Sequence, residues 1–585
     1  MPCFAEIKIT ALTLKGTERP NRMPYSVLRF STSIWLACAI SSSVSSMRLS
    51  IVMSALDTAC LDILKECAML MLGRPLRRNR QNSNCFSWIG MNMRQYMYVY
   101  YKYIAVKTAF PKKFCLPKYL NSLNTISIIV FKQFINRKKE LNYLNSAHES
   151  DRSEFIVIYG RRRIGKSELL KKFAKNKNAI YFLADERGDL ENLSEFKTLV
   201  ADGLDNDLIR SSDLDWINLL KEVSKTEKRL IIIIDEYPYL INSNKAIPSI
   251  FQKVWDLYLN DSNIVMILCG SSISMMEQHV LGSKSPLYGR RTGQIHVKPF
   301  EFRHMPLFFP TFRVEDLIKI YAITDGIPYY LKEAQYRINK ISEIEILYST
   351  QSLLLEEAEI LLKYEFREPA KYFAILKAIA FGKTKFGDIV NYTGLSTSIV
   401  SQYLSNLSIL NIVKADYPVT DNIQRSRNAR YYITDNYFTF WFRFVFPNKS
   451  LINNDQKIRN FSVEFNRYIG HVFEKISAEF LWKKRPIDLT RVGRWWHKGI
   501  EIDLIALNDD SNEILFIECK WKTVSLKESL NILRKLKEKS EYVKWNKDKR
   551  VEYFGLIVKK TDNKKELGEM GFIIFDMDDL LKPPN

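Results

Sequence analysis

Phe155-Ile156-Val157-Ile158-Tyr159-Gly160-Arg161-Arg162-Arg163-Ile164-Gly165-Lys166-Ser167 is the stretch that decides the fold. Its first five residues, four of them apolar, read as a buried strand. Gly160 to Ser167 then satisfy the pattern of a glycine, four free positions and Gly-Lys-Ser, and Glu168-Leu169-Leu170-Lys171-Lys172-Phe173 opens a helix directly afterwards. Strand, glycine loop and helix in that order make a phosphate cradle. The two glycines let the loop wrap closely, so that its backbone N–H groups point at phosphate oxygens. Lys166 reaches the β and γ oxygens, and Ser167 ligates Mg²⁺. The candidate cofactor-binding set is therefore Gly160, Arg161, Arg162, Arg163, Ile164, Gly165, Lys166 and Ser167.

Downstream, Leu230-Ile231-Ile232-Ile233-Ile234-Asp235-Glu236 is an apolar strand ending in two carboxylates. Alone this is ordinary strand-end chemistry. Paired with the loop, it places Asp235 as a second Mg²⁺ holder and Glu236 as the group that polarises the water attacking a γ-phosphate. A further apolar run at 264–269 ends in Gly270-Ser271-Ser272, where a hydroxyl either senses the γ-phosphate or caps a helix. Arg290 and Arg291 offer a charge to offset the transition state, in their own chain or in a neighbouring subunit, unless they are plain surface residues. With strands also expected at 179–183 and 294–297 and helical patterns between, the alternation argues for a parallel sheet covered by helices on both faces.

The chain has 585 residues and a net charge of +22, with 46% apolar and 26% charged residues. That length is too great for one core, and about four domains are expected. No apolar run approaches the roughly 20 residues of a membrane span, so no membrane role is expected. The charge is uneven: the first 130 residues hold 17 Lys or Arg against 5 Asp or Glu. That segment also holds six of the eight cysteines and a Ser-rich run, and shows no sustained periodicity. It reads as an atypical basic extension, disordered or preceding a later start at Met91, Met93 or Met97, with a nucleic-acid arm as the alternative. Cys269 and Cys519 have no CxxC partner, which disfavours a zinc or disulfide framework and points to a reducing cytoplasm.

Three short helical patterns at 372–380, 385–392 and 396–409 precede two strands at 412–417 and 429–433 that flank Arg425, Arg427 and Arg430. This is the order of a winged helix-turn-helix. Its third helix presents Ser398, Ser401, Gln402 and Ser405, while Val400, Leu404 and Leu407 turn inward. That helix carries no Lys or Arg, so phosphate contacts would fall to the wing arginines. DNA contact and a scaffold that relays nucleotide state both remain open.

Near the end, Gly499-Ile500-Glu501-Ile502-Asp503 and Phe516-Ile517-Glu518-Cys519-Lys520 bring an Asp and a Glu-x-Lys onto neighbouring apolar strands. Strand alternation puts Glu518 and Lys520 on one face. Asp503 and Glu518 can share a divalent cation while Lys520 activates water, with Glu474 as a further candidate ligand. An inactive fold with solvated strand ends is the alternative. Trp495, Trp496 and Trp521 either stack on a nucleic-acid strand or complete a core.

Residues 134 to about 335 resemble the archaeal ATPase family, a STAND-type branch of the AAA+ P-loop ATPases. The resemblance rests on residues 134–141, the Gly-Arg-Arg-Arg-Ile-Gly-Lys-Ser loop, Ile-Ile-Asp-Glu-Tyr-Pro-Tyr, Cys-Gly-Ser-Ser, Ser-Pro-Leu-Tyr-Gly-Arg and Asp325-Gly326-Ile327-Pro328-Tyr329-Tyr330-Leu331. It implies ATP as the nucleotide, which the loop alone leaves open. Residues 445–585 resemble the PD-(D/E)xK nuclease-like domain that often follows this ATPase core. The expected organisation is an extension at 1–130, a P-loop α/β core at 131–300, a helical lid at 301–364, a winged helix at 365–444 and an α/β nuclease-like domain at 445–585. The expected function is an ATP- and Mg²⁺-dependent switch. An ATP-gated DNA nuclease and a non-catalytic DNA-associated scaffold stand as alternatives, and a homo-oligomer or a protein partner is left open.

Overall fold

The structure is a computed structural model that describes residues 134–582 apart from Arg367 and Arg425. The expected extension at 1–130 lies outside the described residues.

Five strands form the first sheet: β1 (Glu154–Tyr159), β2 (Ala179–Leu183), β3 (Leu230–Asp235), β4 (Ile264–Gly270) and β5 (Gly293–His296). Their order is β2-β3-β4-β1-β5, and every pairing is parallel. β3 and β4 are buried along their whole length, because helices cover both faces of a parallel sheet and leave no polar side. The pleat sorts the apolar residues. Ile156, Ile158, Ile231, Ile233, Val265 and Ile267 pack on Leu169, Leu170 and Phe173 of the helix Lys166–Ala174. Phe155, Val157, Ile232, Ile234, Met266 and Leu268 face the helices Asp189–Leu204, Trp216–Ser224 and Ile247–Val254.

The first of these two cores does not stop at the sheet. It runs on through the lid helices Val314–Thr324, Pro328–Arg337 and Glu357–Glu365 to Ile375 and Leu376, then to Trp441, Phe465 and Ile476, and finally to Leu515 and Ile517. Its buried donors are satisfied across module boundaries. Trp441 Nε1 donates to the Leu355 carbonyl at 2.7 Å, Tyr437 to that of Leu354 at 2.8 Å, and Tyr468 to those of Ala322 and Asn436 at 2.8 and 2.9 Å. Movement in one module is therefore resisted or transmitted by the next.

The three helices expected in the middle of the chain are Pro369–Ala380, Phe386–Thr393 and Thr397–Ile409, followed by the antiparallel pair β6 (Val413–Asp416) and β7 (Arg430–Ile433). Ser396 caps the third helix by accepting from the Ile399 N–H. Beyond the 24-residue helix Phe461–Lys484 lies a second sheet of β8 (Arg491–His497), β9 (Ile500–Asn508), β10 (Glu513–Thr523), β11 (Val551–Lys560) and β12 (Ile573–Asp576). Its order is β12-β11-β10-β9-β8. Neighbours from β8 to β10 are antiparallel and those from β10 to β12 parallel, with the helix Leu526–Ser540 making the crossover from β10 to β11.

Gly326 fixes the join between the first sheet and the lid. The Phe300 N–H donates to its carbonyl at 2.7 Å, and a Cβ added to it would lie 1.8 Å from the Phe300 carbonyl oxygen. Backbone meets backbone there, so no side chain can give way. Gly326→Ala is expected to destabilise the chain by about 2 kcal/mol or more. Chemical denaturation of the two proteins checks this, and an unchanged midpoint would contradict the contact.

Candidate functional site

The phosphate loop leaves the carboxyl end of β1. Gly160 adopts φ 150°, and a Cβ on it would meet the Val297 carbonyl at 2.5 Å, which is why the loop starts on glycine. Lys166 is 5% exposed, and its ammonium donates to the loop carbonyls of Gly160 and Arg161 at 2.8 and 3.1 Å. Ser167 Oγ donates to Asp235 Oδ2 at 2.6 Å, joining loop and β3. This hydroxyl and carboxylate form an all-oxygen pair of the kind that suits Mg²⁺ with waters completing an octahedron.

Glu236 follows Asp235 in a left-handed conformation, φ 55°, with its N–H donating to Asp235 Oδ1 at 3.0 Å. Its carboxylate accepts from the Ser271 hydroxyl at 2.7 Å. Ser271 is thus engaged with the carboxylate that ends β3. Ser272 occupies the cap position of the helix Ile273–Met276 and makes no side-chain capping bond. Its hydroxyl lies 3.5 Å from Glu365 Oε2, at the end of the lid helix Glu357–Glu365.

The three loop arginines are less simple. Their backbones belong to the phosphate loop, but each side chain is engaged by a later module. Arg161 pairs with Asp435 and lies over the Phe438 ring at 4.6 Å. Arg162 donates to the Tyr239 hydroxyl at 3.1 Å and stacks over Tyr364, 3.3 Å from the ring centroid. Arg163, itself left-handed at φ 67°, pairs with Glu357 at 2.8 Å. Glu357 is 1% exposed and also accepts from Tyr330 at 3.1 Å. Burial raises its carboxyl, and the three arginines and Tyr330 pull it back only in part.

Sequence reasoning missed two groups. Tyr181 on β2 donates to Asp235 Oδ2 at 2.5 Å, the same oxygen that accepts from Ser167. Arg137 is buried at φ 66°, donates to the Ile164 carbonyl at 3.1 Å and lies over the Phe300 ring, holding the loop from behind. A phenol in an apolar strand and an Arg ahead of the first strand were visible, but their partners depend on strand order.

Arg290 is not brought to the phosphate loop. It precedes β5, which starts opposite Ile156, and the next-but-one residue, Thr292, bonds the Phe155 carbonyl. Arg290 therefore sits at the amino end of the sheet, one strand length or about 20 Å from the loop, where it pairs with Asp256 at 3.0 Å. This corrects the expectation that it acts within its own chain. The readings that remain are an ordinary surface arginine and one that serves a neighbouring subunit.

In the winged helix, Ser398, Ser401, Gln402 and Ser405 are exposed, and Val400, Leu404 and Leu407 are buried, as the periodicity requires. The wing differs from expectation. Arg430 pairs with Glu501 at 2.7 Å and lies 4.6 Å from the Trp496 ring centroid, so its charge is spent inside the chain. The Val419 N–H donates to the Arg494 carbonyl at 2.9 Å, and Trp496 Nε1 to that of Asn428 at 3.2 Å. Of the two wing arginines described, only Arg427 is exposed. Trp495 and Trp496 are buried at 5% and 8% exposure, which corrects the stacking-platform alternative for that pair.

Asp503, Glu518 and Lys520 do converge. Lys520 Nζ lies 3.0 Å from Asp503 Oδ2 and 2.6 Å from Glu518 Oε2, and the Cys519 N–H donates to Asp503 at 2.9 Å. Lys539 takes the other Glu518 oxygen. Burial and the neighbouring Asp503 charge raise the Glu518 carboxyl. Burial also works to raise Asp503, but Lys520 and its hydrogen bonds outweigh that and hold it low. Two carboxylate oxygens suit a divalent cation, which would have to displace an ammonium to enter. Glu474 is held by Arg494 and does not join the pair, and among the described residues no group of three or more His, Cys, Asp or Glu side chains is placed to hold a metal. Among the described residues, too, no helix is long and apolar enough to cross a membrane.

Three families match along the chain: the ATPase domain predominantly from Archaea at residues 134–334, the bacterial regulatory protein arsR family at 373–415, and archaeal and bacterial proteins of unknown function at 441–532. An uncharacterized protein of Methanocaldococcus jannaschii is 41% identical over 455 residues, 76% of this chain and 99% of that protein. An uncharacterized ATP-binding protein of the same organism is 48% identical over 44 residues, 8% of this chain and 75% of that protein. Among solved structures, the Walker-type ATPase of Pyrococcus abyssi is similar at 21% identity and a TM-score of 0.40, over 54% of this chain and 99% of that one.

Proposed function

This chain belongs to the archaeal ATPase family, and we propose that it is a cytoplasmic ATP-hydrolysing switch whose nucleotide state governs a DNA-contacting winged helix. One observation carries the reading: Lys166, the Ser167–Asp235 pair at 2.6 Å and the Ser271–Glu236 pair at 2.7 Å meet at the carboxyl end of one sheet. The loop N–H groups and Lys166 hold the triphosphate. Ser167 and Asp235 would hold Mg²⁺, which would supply neutralisation of phosphate charge. Glu236, kept in place by Ser271 and by its own strained backbone, polarises the attacking water. The continuous core and the arginine contacts carry the resulting change to the winged helix, where Ser398, Ser401, Gln402 and Ser405 face solvent and Arg427 supplies charge.

The test is ATP turnover by the full chain with Mg²⁺, with and without duplex DNA. Turnover stimulated severalfold by DNA supports the switch. Turnover indifferent to DNA would move the reading to a nucleotide-controlled scaffold with a protein partner.

A second reading rests on the convergence of Asp503, Glu518 and Lys520 within 3.0 Å. The C-terminal domain would cleave phosphodiesters with a divalent cation on the two carboxylates and Lys520 orienting water. Gel analysis of the DNA in the same reaction tests it. Cleavage that disappears in Asp503→Ala supports a nuclease, and intact DNA under every nucleotide condition contradicts one.

A further inference from the structure

One charged group at the nucleotide site has no part in the chemistry above. Glu365 closes the lid helix Glu357–Glu365, and its carboxylate lies 3.5 Å from Ser272 Oγ. Ser272 is the residue after Ser271, which holds Glu236 on the side of the site where the γ-phosphate belongs. Lys166, Arg161 and Arg162 all act electrostatically on Glu365. It is thus an acid next to the serine pair whose first member holds Glu236, within the field of the phosphate-loop lysine. Burial raises its carboxyl to about 7 against the pull of Arg162, the Ser272 bond, Lys166 and Arg161. The position is therefore costly for a charge even before an anion arrives.

Two structural facts give this residue somewhere to go and something to move. Glu365 lines a cleft of about 610 Å³ between Ser274, Glu277 and Gln278 of the ATPase core and Tyr372, Tyr403 and Asn406 of the winged helix. Four residues later, Pro369 starts the first helix of that winged helix, so displacement at Glu365 is passed on through a short connection. Its neighbour Tyr364 lies beneath Arg162, tying the same helix end to the phosphate loop.

We propose that Glu365 is the residue by which the protein distinguishes ATP from ADP: the γ-phosphate repels its carboxylate, which swings into the cleft and shifts the lid helix and the winged helix that follows. ADP lacks the group that does this and leaves Glu365 beside Ser272. The proposal rests on the assignment of 160–167 as an ATP site and adds a discriminating group to it.

The experiment compares Glu365→Gln with wild type, both as full chains, by calorimetric titration with Mg-ATP and Mg-ADP and by hydrogen exchange of residues 357–380 in each nucleotide. The amide keeps the shape and removes the charge. ATP affinity is expected to rise about tenfold with ADP affinity changed less than about threefold, a coupling of ordinary allosteric size. ATP should alter exchange of 357–380 in wild type and do so much less in the variant. Equal changes for ATP and ADP, or an ATP-specific exchange response that the variant retains, would overturn the proposal. A wild type that binds neither nucleotide would instead overturn the underlying assignment, so the two failures are distinct. Ser272→Ala provides a second reading, since it leaves the charge in place and is expected to preserve the preference.

Discussion

Lys166→Ala lowers the affinity for Mg-ATP at least about a hundredfold while leaving the protein folded. The ammonium is buried in the loop with two carbonyls as its hydrogen-bond partners, 2.8 and 3.1 Å away. Exchanging those carbonyls for phosphate replaces neutral acceptors by charged ones, and each charge-assisted hydrogen bond contributes about 1.5–3 kcal/mol. Losing two such contacts accounts for the expected factor. The fold tolerates the change because the helix Lys166–Ala174 keeps its buried Leu169, Leu170 and Phe173. Calorimetric titration with a thermal melt of each protein separates the two effects. Unchanged affinity would sink the assignment of the loop.

Glu236→Gln has the opposite profile, with ATP bound about as well as in wild type and turnover slowed by about a hundredfold to ten-thousandfold. The amide keeps the volume and accepts from Ser271, so the site is not rebuilt. What disappears is the charge that draws a proton from water. The left-handed backbone at Glu236, φ 55°, is a cost that a non-glycine residue bears only where the surrounding structure holds it, here through the Asp235 side chain and Ser271. Single-turnover hydrolysis with saturating ATP measures the step. A variant as fast as wild type would move the base to another group.

The parallel sheet was legible because its strands are short apolar runs that stop at polar or glycine positions. The runs at 179–183, 230–234 and 264–269 each match an observed strand to within one residue. The same was true of the winged-helix order, which periodicity of apolar residues alone dictates. In the second sheet only the two runs that became β9 and β10 were read. β8, β11 and β12 carry charged or mixed residues at their ends, and pairing partners far along the chain supply their stability. The loop lysine, Ser167, Asp235 and Glu236 could be named from sequence because their spacing is local or lies at strand ends.

The residues that refine the site were hidden for a common reason. Asp435 meets Arg161, and Glu357 meets Arg163, across roughly two hundred residues or more of sequence. Local pattern carries no information about such pairs. The same blindness misplaced Arg290, whose position at the wrong end of β5 follows only from strand register. It also left Arg430 assigned to a phosphate when Glu501 and Trp496 hold it. A run of three arginines in a phosphate loop invites the reading that all three touch phosphate. The structure instead turns their side chains toward the modules that the nucleotide is proposed to control.

The most direct test of that control is the affinity of the full chain for labelled duplex DNA, measured by fluorescence anisotropy at fixed salt with Mg-ATP, with Mg-ADP and with no nucleotide, using Glu236→Gln to hold ATP intact. The account predicts DNA affinities that differ by at least about fivefold between the ATP and ADP states, the lower end of ordinary coupling between two sites. Equal affinities in all three conditions, in a protein shown to bind both nucleotides, would contradict it.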